Sequence, residues 1–123
     1  MIVTDEQISY DIIIDEIAAW YPGAVFSICD SRPHGVILDP EIPTLWRKLR
    51  QPTLVTINYR DFFQRKFLHA DYCIVCFKLE PLEAIKIPAL LRSVLSLPEY
   101  NTKARRMEKI ISWRDGALKH LSL

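Results

Sequence analysis

The chain has 123 residues, is half hydrophobic, and carries sixteen basic against fifteen acidic side chains for a formal net charge of +1. That length fits one domain spanning residues 1–123, and the composition excludes disordered, collagen-like and disulfide-scaffold proteins. The three glycines can spell neither a G-x-G-x-x-G dinucleotide turn nor a G-x-x-x-x-G-K phosphate loop.

No stretch approaches the roughly 20 apolar residues that cross a bilayer, so no membrane association is expected. Asp5 and Glu6 follow Met1 at once without a basic leader, so no signal peptide is expected either. An odd set of thiols, Cys29, Cys73 and Cys76, points to reduced cysteines and a cytoplasmic address. The small net charge conceals an asymmetry. Residues 1–41 hold eight acids and one base, whereas residues 42–123 hold seven acids and fifteen bases. Such blocks suit an acidic cluster beside a basic surface, the pairing that a metal-holding, polyanion-binding protein needs; ordinary solvated faces explain them equally well.

Taken in chain order, Met1–Thr4 is a short apolar run that predicts a buried strand delivering Asp5 at its carboxyl end. Ser9 is placed as the N-cap of an amphipathic helix on which Tyr10, Ile13, Ile14, Ile17, Ala18 and Tyr21 recur at three- and four-residue steps. Pro22-Gly23 closes that helix, and residues 24–28 predict a second strand. Residues 29–38, with Pro33 and Gly35, predict a loop, and Asp39-Pro40-Glu41 opens a helix with Asp as N-cap and Pro in the first turn. Residues 53–57 predict the third strand, followed by Asn58-Tyr59-Arg60-Asp61 and a helix over 62–69. Residues 72–77 predict a fourth strand and residues 83–97 a helix. Asp115-Gly116 predicts the turn of a hairpin between residues 107–113 and 117–121.

Strands alternating with helices predict an α/β fold: a mainly parallel central sheet between helical layers, with a C-terminal antiparallel hairpin. Ligands of such sheets lie beyond the carboxyl ends of the strands. Asp5 and the Asn58–Asp61 segment follow strands directly, and Asp39 stands at a helix start on the same edge, so topology alone brings the three aspartates to one rim. Hard carboxylate oxygens suit Mg2+ or Mn2+, and three carboxylates gathered without a cation would repel one another. The chemistry that follows is phosphodiester hydrolysis, with Arg47, Lys48, Arg50, Arg60, Arg65 and Lys66 to track a sugar–phosphate backbone. Helix capping is the simpler role open to Asp39 and Asp61. A carboxylate closing an apolar strand, as Asp5 does, needs a partner or solvent.

Three segments carry a resemblance. Ile2-Val-Thr-Asp5-Glu6-Gln7-Ile8-Ser9 is similar to the hydrophobic strand and "DEN-L-S" opening of the short PIN-like proteins of prokaryotes, relatives of the PIN-domain nucleases. Asp39-Pro-Glu41-Ile42 is similar to their "D-x-E-I" segment. Val55-Thr56-Ile57-Asn58-Tyr59-Arg60-Asp61-Phe62 resembles the "T-x-N-x-x-D-F" motif of PIN domains. The resemblance covers roughly residues 1–78. It implies a three-layer PIN-like domain and a Mg2+- or Mn2+-dependent ribonuclease site with Asp5, Asp39 and Asp61 as metal ligands. Asn58 would be their polar neighbour, Thr56 a supporting hydroxyl, and RNA the substrate. It also implies a toxin neutralised by a cognate antitoxin, and a homodimer. The chain departs from the pattern in lacking the helical insertion that brings a further acid, unless Glu6 or Glu41 replaces it. It also has Asn58 where many short relatives place an aspartate. The rival expectation is a PIN-like module that binds nucleic acid or protein without cleaving.

Other motifs point inward. Cys73-x-x-Cys76 lies in an apolar strand, where odd spacing puts the two thiols on opposite faces, away from redox or zinc geometry. Trp20, Trp46 and Trp113 read as packing residues. Lys103, Arg105, Arg106 and Lys109 form a second basic run, suited to RNA, to an acidic partner or to blunting a sheet edge. An acidic pair after the first strand also fits phospho-receiver domains, but the acceptor position after the third strand is Asn58.

Overall fold

The computed structural model describes residues 1–31 and 51–123. Asp39, Glu41, Arg47, Lys48 and Arg50, with the helix expected from residue 39, lie outside the described residues. Six strands, β1 (Ile2–Thr4), β2 (Val25–Ser27), β3 (Thr53–Thr56), β4 (Cys73–Phe77), β5 (Lys109–Arg114) and β6 (Ala117–Ser122), form one sheet in the order β2-β1-β3-β4-β5-β6. All neighbours pair in parallel except β5 and β6, which form the antiparallel hairpin. The expected mixed α/β architecture with a mostly parallel sheet is what the chain adopts.

The registers show why the strands hold together. Val3 stands opposite Leu54, Leu54 opposite Ile74, Ile74 opposite Ile110 and Ile110 opposite Leu121. Side chains alternate across a strand, so this row packs on one face with Phe62, while Ile2, Val55, Val75 and Ile111 pack on the other with Ile13, Ile17 and Leu91. Burial on both faces explains why β1, β3 and β4 read as unbroken apolar runs. Cys73 belongs to one of these clusters and Cys76 to the other, both fully buried, as their spacing required.

Among the described residues, four short helices flank the sheet: α1 (Asp11–Ala18), α2 (Tyr59–Phe62), α3 (Ile87–Leu95) and α4 (Lys103–Arg106). Several differ from expectation. Ser9 does not cap α1; it ends a 3-10 turn over Glu6–Ile8 and its hydroxyl is turned back onto the Asp5 carbonyl, 2.7 Å away, so Tyr10 starts α1 without a side-chain cap. The helix expected over 62–69 is split into α2 and a 3-10 turn at Arg65–Phe67. A continuous helix sets residues five apart about 140° apart around its axis; the break instead brings the Phe67 ring to 5.3 Å from that of Phe62. The helix expected over 83–97 begins as a 3-10 segment, Pro81–Lys86, with Pro88 in the first turn of α3, where its missing N–H costs no bond. No helix of the described residues is long and apolar enough to cross a membrane.

Candidate functional site

The chain leaves β1 toward β2 on one side and returns to β3 on the other, so strand order reverses between β1 and β3. The carboxyl ends of those two strands form the crevice where sheets of this kind bind ligands. Asp5 follows β1 and is 4% exposed. Its extended backbone makes it the N-cap of the 3-10 turn, with Oδ1 accepting the Glu6 N–H at 2.8 Å. Oδ2 accepts the Thr56 hydroxyl at 2.8 Å. The Asp5 N–H donates to the Val55 carbonyl, so backbone and side chain both tie this residue to β3.

The connection continues. Thr56 Oγ1 accepts the backbone N–H of Asn58 at 2.9 Å, and Asn58 Nδ2 donates to Asp61 Oδ2 at 2.8 Å. Asn58 stands at the N-cap position of α2, and Asp61 is exposed in its first turn. A second strand of hydroxyls braces the rim from behind: Ser27 donates to Ser9 at 2.7 Å, Ser9 donates to the Asp5 carbonyl, and the Cys29 N–H donates to Ser27. Asp5, Thr56, Asn58 and Asp61 thus belong to one hydrogen-bonded chain, and Glu6 borders it with an exposed side chain.

In kind, these donors suit a hard cation, since carboxylate and amide oxygens are what Mg2+ and Mn2+ take. In number they fall short: among the described residues no group of three or more His, Cys, Asp or Glu side chains could hold a metal ion. Asp5 and Asp61 are the described part of the expected ligand set, Asp39 lying outside it.

Beside the rim a recess of about 460 Å3 is lined by Ile57, Asn58, Tyr59, Arg60, Phe63 and Lys78. The Tyr59 and Phe63 rings stack, centroids 5.1 Å apart and planes 16° from parallel. Arg60 was anticipated here, but Tyr59, Phe63 and Lys78 were not. The spacing of Tyr59 and Phe63 is the one that stacks side chains on a helical turn, a signal hidden by starting the expected helix at Phe62, after Tyr59. Arg65 and Lys66 are exposed on the following 3-10 turn, with Lys66 Nζ 5.1 Å from the Phe67 ring centre. Compared with protein-family models, curated proteins and solved structures, the chain matches none of them.

Proposed function

We propose that the protein is a PIN-like, Mg2+- or Mn2+-dependent ribonuclease acting on single-stranded RNA at the rim between β1 and β3. The observation that carries this reading is the hydrogen-bonded chain from Asp5 through Thr56 and Asn58 to Asp61, which joins a buried strand-end carboxylate to an exposed one at the strand reversal. Asp5 and Asp61, with Asp39, would hold the cation. When bound, such an ion orients a phosphodiester, lowers the pKa of water and offsets charge on the leaving oxygen. The protein's own part is positional. Thr56 fixes the Asp5 carboxylate, Asn58 fixes Asp61, the Tyr59–Phe63 stack offers a face to an unpaired base, and Arg60 and Lys78 offer charge to the backbone. Its physiological setting, in the same reading, is a cytoplasmic toxin paired with an antitoxin.

Cleavage of a labelled single-stranded RNA with Mn2+ added, together with a Mn2+-dependent rise in melting temperature, tests the proposal. Asp5→Asn should lose both while keeping a native circular dichroism spectrum. Asn58, standing where many short PIN-like proteins place an aspartate, favours a second reading, a non-catalytic RNA- or protein-binding module. An intact wild type that leaves every RNA uncut with Mn2+ present would select it.

A further inference from the structure

A separate recess lies at the opposite edge, where the strands begin. Its volume is about 410 Å3, and its lining includes Trp20, Arg92, Ser96, Asn101, Lys103 and Arg106. Trp20 follows the end of α1, Arg92 and Ser96 stand at the end of α3, and Lys103 and Arg106 belong to α4. Arg106 donates through Nε to the hydroxyl of Thr53, the first residue of β3, at 3.3 Å. That bond fixes the recess at the amino edge of the sheet, remote from Asp5.

Three cations and no acid line this recess. Arg106 is only 5% exposed, and its guanidinium donates to two neutral acceptors, the Thr53 hydroxyl and the Tyr100 carbonyl at 3.0 Å. No carboxylate pairs with it among the described residues. A buried guanidinium is costly to leave without an anion, and two of its five N–H groups are accounted for. Trp20, on the same lining, has a buried indole N–H with no acceptor. Arg106 therefore has donors to spare beside this recess. The helix ends at α1 and α3 contribute about half a negative charge each, which three full cations outweigh. The field reaches the Met1 amino group, whose pKa is lowered by burial first and then by Lys103 and Arg106.

An adjoining hollow of about 660 Å3 shares Trp20, Arg92 and Ser96 and adds Pro88, Ala89 and Glu16. Lys103 and Arg106 line only the first hollow, and apolar Pro88 and Ala89 with the carboxylate of Glu16 line only the second. Three cations exceed the single negative charge of a carboxylate ligand, whereas a phosphomonoester brings close to two negative charges on three acceptor oxygens. We infer that this recess binds a small phosphomonoester of nucleotide size. Arg92, Lys103 and Arg106 hold its phosphoryl oxygens, and its ring lies toward Trp20 and Glu16. The inference does not depend on the nuclease reading.

The test is calorimetric titration of the full chain with inorganic phosphate and with adenosine 5′-monophosphate, sodium chloride holding ionic strength constant. The wild type should bind both saturably, the nucleotide at least ~10-fold more tightly, since it also covers the apolar wall. Lys103→Gln and Arg92→Gln, both at accessible positions, should each weaken nucleotide binding by about 10-fold, the loss of one charge-assisted contact. Asp5→Asn should bind the nucleotide as the wild type does. Lack of saturable binding by either probe overturns the inference. So does nucleotide binding no tighter than that of phosphate, unchanged affinity in both cation variants, or binding confined to polymeric RNA.

Discussion

The Thr56 hydroxyl donates to Oδ2 of Asp5 across 2.8 Å, joining positions fifty-one residues apart in the chain. Thr56 Oγ1 in turn accepts the Asn58 N–H, so one hydroxyl links the end of β1 to the start of α2. Neither partner is solvated: Thr56 is fully buried and Asp5 nearly so. Loss of the Thr56 hydroxyl would therefore separate Asp5 from Asp61 while leaving both carboxylates in place.

Thr56→Val keeps the shape and removes both bonds. It leaves an Asp5 oxygen without this donor and the Asn58 N–H without its acceptor, and it should cost about 2 to 4 kcal/mol, one to two buried polar penalties. Thr56→Ser should recover most of that. Urea unfolding checks the order wild type, Ser, Val. If the Val variant is as stable as the wild type, Thr56 does not hold the rim.

At the recess beside the rim, charge and stacking make separable contributions to RNA binding. Arg60→Gln and Lys78→Gln should each reduce the slope of log affinity against log salt by about 0.7, one phosphate contact on a single strand. Tyr59→Ala should cost about 1 to 3 kcal/mol of affinity with little change in that slope. Fluorescence anisotropy of a short single-stranded RNA across a salt series measures both. A Tyr59→Ala variant that changes only the salt slope would remove stacking from the account.

How much was legible follows from how local each feature is. The strands could be read because Val55 and Ile74 lie in short apolar, β-favouring runs, and the hairpin because Asp115-Gly116 is a two-residue signal. The delivery of Asp5 to a strand end could be read for the same reason. The role of Ser9 could not, because capping propensity is local whereas its bonds to Ser27 and the Asp5 carbonyl depend on β2 lying beside β1. The break between Phe62 and Phe67 was hidden for a similar reason: helical periodicity predicts continuity until a buried ring needs its partner. Arg106 shows the limit most clearly. In sequence it is one member of a basic run, and only the packing of α4 against Thr53 turns it into a buried cation.

The two buried thiols give stability a dependence on alkaline pH. Burial, ahead of the opposing charges of Arg106 and Lys109, pushes the Cys73 thiol up from its ordinary 9.0 to about 12. Burial, then the neighbouring Cys73 and Asp5, raises Cys76 as well. Below pH 9 both folded and unfolded chains keep these protons and the contribution is complete. Above it the unfolded chain releases them first, so stability falls as pH rises toward the folded value, by about 1 to 2 kcal/mol per thiol near pH 10.5. Comparing urea midpoints at pH 7.5 and 10.5 should show a steeper loss in the wild type than in Cys73→Ala, which is weaker at both pH values because of its cavity. In native conditions only the exposed Cys29 should react with a thiol reagent.

The hairpin turn isolates a purely conformational term. Asp115 and Gly116 connect β5 to β6 with φ of 51° and 81°, the paired left-handed residues of a type I′ turn, whose twist matches that of the flanking strands. A Cβ added at Gly116 would meet nothing within 4 Å. Any cost of Gly116→Ala is therefore backbone strain rather than a clash, and about 1 kcal/mol is expected. Asp115→Asn, a residue that tolerates the same backbone region, should be close to neutral. Thermal unfolding of the two variants decides the matter. A Gly116→Ala protein melting with the wild type would mean that β6 pairs with β5 without help from its turn, and the energy of the hairpin would then lie in its cross-strand pairs, Trp113 with Leu118 and Ile110 with Leu121.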